Sequence, residues 1–178
     1  VDFNNRETYH AEAKDLDSDG LTDLVFLEPT DLKWESKIYW VKNLGNGEFG
    51  EPESISNGIR DCREFLMEDI DGDGDVDLIT SSYFDSRISV YKNRGDGKFR
   101  YEFIISNGNH HYEDIATADL DLDGDLDLIT SAGYNYLTWF ENIGHGRYSN
   151  EQVLSGVSSY HNCILAADVN GDAYPDII

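Results

Sequence analysis

The sequence predicts an all-β chain made of propeller-type blades, each of four antiparallel strands, with about three and a half blades present. Three observations carry this reading. An Asp-rich nine-residue pattern occurs four times, with starts separated by 54, 50 and 49 residues. Between the copies lie short runs of β-branched and aromatic residues, punctuated by Gly, Asn and Asp. No segment shows the period of about 3.6 residues that an amphipathic helix requires. Four strands in a period of about 50 residues match one propeller blade.

Each unit opens with a strand that leads into the Asp pattern, as Ile115–Ala118 does in the third. The pattern follows at Asp15–Asp23, Asp69–Asp77, Asp119–Asp127 and Asp168–Asp176. A second strand starts at its last Asp, as in Asp127–Thr130, and carries an apolar pair: Leu24-Val25, Leu78-Ile79, Leu128-Ile129 or Ile177-Ile178. The third strand is aromatic-rich: Ile38–Val41, Ile88–Tyr91 and Leu137–Phe140. An Asn-x-Gly-x-Gly turn spans Asn43–Phe49, Asn93–Phe99 and Asn142–Tyr148, and a fourth strand such as Tyr101–Ile105 follows it.

The units run approximately over 1–55, 56–106 and 107–156, with a partial blade over 157–178, all within one repeat domain, 1–178. A ring of seven or eight blades would need roughly 350–400 residues at this period. The expectation is therefore a piece of a larger ring, or a subunit whose open edges are completed by another copy.

Charge narrows the function classes. The 178 residues carry a net charge of −23, which disfavours nucleic acid and anionic membranes as partners. No apolar stretch reaches the 18 or so residues that a membrane helix needs, so membrane insertion is not expected. Aromatics make up 12% of the chain, more than a disordered acidic tail carries. The chain shows no signal peptide and starts at Val1, which fits a processed secreted protein or a fragment. Cys62 and Cys163 match no clustered metal spacing; they read as small buried thiols, with a disulfide as the alternative.

The acidic residues gather where a cation would be held. In Asp119–Asp127 the carboxylates of Asp119, Asp121, Asp123 and Asp127 stand at positions one, three, five and nine, and the backbone carbonyl of Asp125 stands at seven. Calcium takes six to eight hard oxygens at about 2.3–2.6 Å, a set that this mixture supplies better than magnesium's near-octahedral demand would accept. The equivalent sets are Asp15, Asp17, Asp19, Leu21 and Asp23; Asp69, Asp71, Asp73, Asp75 and Asp77; and Asp168, Asn170, Asp172, Tyr174 and Asp176. Glycine at position six permits the sharp turn in the first three, whereas Ala173 takes that place in the fourth. Loops two and three are expected to bind most tightly and loop four least. An EF-hand would need Glu at position twelve and flanking helices; Phe26, Thr80 and Thr130 stand there, and the flanks read as strands. Four filled sites would bring the net charge from −23 to −15.

The Asp loops followed by Asp-Leu-Ile, with the aromatic-x-x-Asn-x-Gly-x-Gly-x-Phe turn, resemble FG-GAP/VCBS repeats, the calcium-binding propeller blades of integrin α-chains and many secreted bacterial proteins. The resemblance covers nearly the whole chain. It implies up to four Ca2+ ions, a secreted or cell-surface setting, and roles in adhesion, recognition or scaffolding. Partners would be proteins or glycans at an extracellular surface, or other copies of the chain. A self-assembling structural subunit, and a lectin-like or polysaccharide-degrading protein whose active part lies elsewhere, are the alternatives.

No catalytic residue can be nominated, so a non-enzymatic module is expected. Serines lack a Gly-x-Ser-x-Gly setting, and the best-spaced carboxylates are committed to calcium. His10, His110, His111, His145 and His161 include no His-x-x-x-His pair. The aromatics between the second and third strands, Trp34, Tyr83, Phe84, Tyr134 and Tyr136, are either blade-to-blade packing or a sugar-stacking surface, with Trp34, Tyr83 and Tyr136 as the candidate ligand contacts.

Overall fold

A computed structural model describes residues 10–30, 34–56, 58–107, 110–133, 136–156 and 163–178. Among the described residues every regular element is a β-strand, and the strands pair antiparallel. The first sheet holds β1 (His10–Lys14), β2 (Asp23–Pro29) and β3 (Glu35–Val41). A small hairpin of β4 (Asn43–Gly45) and β5 (Glu48–Phe49) follows, and then β6 (Glu53–Ser54) and β7 (Ile59–Arg60) both pair with β3. The second sheet runs in order through β8 (Cys62–Glu68), β9 (Asp77–Ser82), β10 (Arg87–Lys92) and β11 (Arg100–Asn107). The third does the same with β12 (Tyr112–Ala118), β13 (Asp127–Ala132), β14 (Tyr136–Phe140) and β15 (Gln152–Gly156). A last pair, β16 (Ala166–Ala167) with β17 (Asp176–Ile177), starts a fourth unit.

The fourth strand of the first sheet comes in two pieces, and the sheet reaches Arg60 rather than stopping near residue 55. At the break Ser56 is buried, and its hydroxyl accepts the Ile38 N–H at 2.9 Å, replacing the missing ladder bond. Serines do similar work in the inner strands. The pairing of β8 with β9 shifts register between Cys62 and Phe65, and that of β12 with β13 shifts between Tyr112 and Ile115. At these bulges Ser81 Oγ accepts the Glu64 N–H (3.1 Å) and Ser131 Oγ accepts the Asp114 N–H (3.0 Å). The first sheet has Leu27 at that position, and β1 runs along β2 without a shift.

The sheets stack face to face, and strand alternation divides the core into two seams. All six residues of β9 are buried because β9 has a neighbouring sheet on either side. Leu78 points into the first seam, with Leu16, Val25, Leu27, Ile38, Phe65 and Met67. Ile79 points into the second, with Ile70, Val90, Tyr112, Leu128 and Phe140. The first strand of each unit, β1, β8, β12 and β16, contacts the next in succession, so these strands form one inner wall. This is the blade arrangement that the repeat implied. It sets all the Asp loops, each joining a first strand to a second, along one edge.

One thiol meets the expectation and the other does not. Cys62 is buried in the first seam, where desolvation pushes its thiol well above the ordinary range, but Cys163 is exposed, and the two are not bonded.

Candidate functional site

Each Asp loop is curled by its own carboxylates. The position-one Asp accepts backbone N–H groups from across the turn: Asp15 from Gly20 (2.8 Å), Asp69 from Gly74 (2.9 Å), Asp119 from Gly124 (3.0 Å) and Asp168 from Ala173 (2.9 Å). The position-five Asp accepts the position-seven N–H at 2.9 to 3.0 Å in all four. In the fourth loop the Asn170 side-chain oxygen accepts the Asp172 N–H at 2.9 Å, as Asp121 accepts that of Asp123 at 3.2 Å. The bonds made by positions one and five are thus kept in the fourth loop, and the cost of alanine at position six falls on the backbone: Ala173 sits at φ +72°. Position four is also left-handed, at Ser18, Gly72, Leu122 and Gly171, a demand that the sequence reading missed.

Curling brings the carboxylates of positions one, three and five together. In each of Asp15/Asp17/Asp19, Asp69/Asp71/Asp73 and Asp119/Asp121/Asp123, three oxygens lie within 4.8 Å of one another. Oxygens that share one ion at about 2.3–2.6 Å can be no more than about 5 Å apart, so this spacing fits calcium. Buried oxygens without a hydrogen-bond partner also fit a cation: Asp17 Oδ1 and Asp77 Oδ2.

The position-nine Asp stands behind each cluster as a clamp. Asp23, Asp77 and Asp127 are fully buried, and one oxygen of each accepts the N–H of the turn asparagine, Asn43 (2.7 Å), Asn93 (2.9 Å) or Asn142 (2.8 Å). The second oxygen of Asp23 and Asp127 holds the position-two N–H, from Leu16 (3.2 Å) and Leu120 (3.0 Å). Burial pushes Asp77 up to about 7, with further repulsion from Asp71 and Asp73. Position seven varies between loops: Leu21 and Tyr174 are exposed, whereas Asp75 and Asp125 are half-buried, and Asp75 is raised by desolvation and by Asp73, Asp69 and Asp71.

Two further sets of residues act at the loops without having been nominated from sequence. The turn asparagines reach across the seams. Asn93 Nδ2 donates to the Leu16 carbonyl (2.8 Å) and Asn142 Nδ2 to the Ile70 carbonyl (2.9 Å), each the position-two residue of the preceding unit's loop. The second turn glycine lies on that same loop or sheet: a Cβ on Gly97 would come within 2.3 Å of the Trp40 ring, and one on Gly146 within 3.1 Å of Asp71. The repeated Asn-x-Gly-x-Gly turn was the available signal. Lysines form the second set. Lys42 Nζ contacts Asp17 and lies 2.8 Å from Asp19 Oδ2, and Lys92 Nζ contacts Asp71. Lys42 holds the Asp19 carboxyl below its ordinary range, with help from the Leu21 N–H.

The described aromatic candidates lie in the connections between second and third strands or, for Tyr136, at the first residue of the third. Trp34 meets Phe84 edge to face (5.3 Å), Phe84 meets Tyr83 (5.5 Å), and Tyr83 stacks on His111 (4.3 Å) beneath the Arg63 guanidinium (4.9 Å). Tyr136 joins His110 instead, at 5.8 Å, so the neighbouring histidines diverge. Tyr134 and His161 lie outside the described residues. Two clefts open elsewhere, at equivalent places on the two seams. One, of about 300 Å3, is lined by Trp40, Glu53, Ser54, Ile55, Lys98 and Phe99. The other, of about 230 Å3, is lined by Phe103, Ile104, Ile105, Arg147 and Tyr148.

Comparison with known proteins agrees with this fold. No curated protein is similar to the chain. Among solved structures, a lectin from Agrocybe aegerita, described as specifically recognising non-reducing terminal N-acetylglucosamine, superposes with a TM-score of 0.56 at 19% identity. The alignment covers 84% of this chain and 39% of the lectin's, a likeness of fold. The family model of the FG-GAP-like repeat matches residues 15–80 and 69–130, so each match runs from one Asp loop through the next loop and into its second strand. The chain therefore belongs to the FG-GAP-like repeat family.

Proposed function

We propose that this chain is a calcium-binding, non-enzymatic recognition module of a secreted or cell-surface protein, with the ions bracing the blades. The observation that carries this reading is the threefold recurrence of three carboxylate oxygens within 4.8 Å, on loops whose position-two residues Leu16 and Ile70 lie in the seams. An ion at such a loop would neutralise the cluster and fix the loop on which the next blade rests, so binding adds to folding free energy. Calcium held at a hundredfold excess over its Kd would contribute about 2.7 kcal/mol per site. Chelation is expected to lower Tm by roughly 5–10 °C for each site emptied, and Asp121→Ala to reproduce part of that loss. An unchanged Tm in both measurements would remove the calcium reading.

Glycan binding is a second reading, favoured by the equivalent seam clefts and by the lectin's similar fold. The first cleft combines the aromatic Phe99 with polar Glu53, Ser54 and Lys98, and the buried Trp40 Nε1–H has no hydrogen-bond partner. The Trp34, Tyr83 and Tyr136 surface is the other place where a sugar ring could stack. Binding on a glycan array that Phe99→Ala abolishes would place the sugar in the cleft, and loss with Trp34→Ala would place it on the aromatic surface. Failure of the unmodified chain to retain any glycan would end this reading.

A further inference from the structure

The Asp loops differ at one register that none of their own residues occupies. The residue just before the turn asparagine is Lys42 in the first unit, Lys92 in the second and Glu141 in the third. This residue ends the third strand (Lys92) or directly follows it (Lys42, Glu141), and the next residue is tied by its N–H to the position-nine Asp of the same unit. The side chain at this register therefore starts beside the loop. Lys42 bridges Asp17 and Asp19, at positions three and five. Lys92 contacts Asp71, at position three. Both lysines are only partly exposed, 35% and 26%, so their stems lie along the protein while the ammonium groups reach the carboxylates.

We propose that this register sets the order in which the first three loops take up divalent cations, with Lys42 and Lys92 as tethered competitors and Glu141 as an added attraction, so that of these loop three fills first and loop one last. The proposal rests on the calcium reading given above. An ammonium on Asp17 and Asp19 occupies oxygens that the ion requires, so it must swing out before the ion can be held. Once out, it remains close enough to repel a doubly charged ion. Lys42 engages Asp17 and Asp19 and faces a loop with the uncharged Leu21 at position seven; Lys92 contacts Asp71 and faces a loop with the acidic Asp75 there. Loop three has Asp125 at position seven and an acid, Glu141, where the others have a lysine. Calcium would also free both amines.

Calcium titration by calorimetry on the 178-residue chain, with Lys42→Met, Lys92→Met and Glu141→Lys variants, tests this directly. Each lysine replacement is expected to tighten the weaker sites by about tenfold, and Glu141→Lys to weaken the tightest site by a similar factor. A second readout is amine acetylation followed by peptide mass spectrometry. Lys42 and Lys92 should react faster once calcium is added, and Lys92 should respond at lower calcium than Lys42, while the exposed Lys98 serves as the reference. Calcium binding that all three variants leave unchanged, with no gain in amine reactivity, would overturn the inference and leave the calcium reading intact. A complete lack of calcium binding would overturn both.

Discussion

The two seams between blades are filled alike and charged differently. Each buries an apolar layer, crossed by one asparagine that reaches from a turn to the Asp loop of the preceding unit. At the inner wall they diverge. In the first seam His10 of β1 lies 2.8 Å from Glu64 of β8, and Lys14 lies 3.4 Å from Glu68. In the second seam β8 and β12 bring two acids, Glu64 and Asp114, to the same wall: Asp114 is pushed up first by burial and, more weakly, by Glu64, against the Ile164 and Ile115 N–H groups and the His10 charge that favour its ionised form. The difference separates two jobs. The apolar layer and the asparagine are properties of the repeat, whereas inner-wall charge is set blade by blade, with base–acid pairs across one seam and two acids at the other.

Deleting the asparagines should have the larger effect. Asn93 and Asn142 are buried, and alanine at either would leave a loop carbonyl without its partner, at a cost of about 1–3 kcal/mol. That corresponds to roughly 2–4 °C of Tm per kcal/mol for a domain of this size. Asn142→Ala should cost somewhat more, because Asn142 Nδ2 also donates to the Leu126 carbonyl at 3.1 Å. Asn43 is the internal control: its Nδ2 donates to Thr22 of its own loop in an exposed bond of 2.9 Å, so Asn43→Ala should cost well under about 1 kcal/mol. Thermal melts of the three variants check this ranking. Equal losses at all three positions would mean that the asparagines hold their own turns and not the seams.

The same contrast explains how much of the molecule was legible in its sequence. Strand alternation and Asp spacing are local, so the four-strand units, the all-β fold and the curled loops could be read directly. The asparagine bond to Leu16 spans 77 residues and depends on how one blade lies on the next, which no local pattern encodes. The lysine contacts were hidden for the same reason, since Lys42 lies 25 residues from Asp17. The left-handed position four was masked by its variety: Ser18, Gly72, Leu122 and Gly171 share a backbone conformation and little else. The inner-strand bulges were closer to legible. Ser81 and Ser131 stand four residues after a position-nine Asp, where Leu27 stands in the unit without a bulge, and a buried serine inside an apolar strand is itself a signal.

The charge difference gives a smaller effect, but one confined to a single seam. Glu12, 3.6 Å from Nε2 of His10, and Glu64, 2.8 Å from Nδ1, raise the His10 pKa to about 9 against the opposing pull of burial. A histidine whose folded pKa lies above its unfolded value of about 6.5 stabilises the protein fully below that value and loses the contribution as pH rises through the folded pKa. The seam-one contribution should thus be complete below about pH 6.5 and gone above about pH 9. Half-exposure of the imidazole reduces it to about 1 kcal/mol after solvent screening. Asp77, pushed up to about 7, and Asp114, with its pKa raised, also lose stabilisation as pH rises, so the comparison with a His10 variant, and not the pH window alone, isolates the histidine. Denaturant melts across that window should show stability falling for the native chain and a flatter profile for His10→Gln. A profile that His10→Gln leaves unchanged would place the titrating group elsewhere, and the two inner walls would then differ in sequence but not in what they contribute.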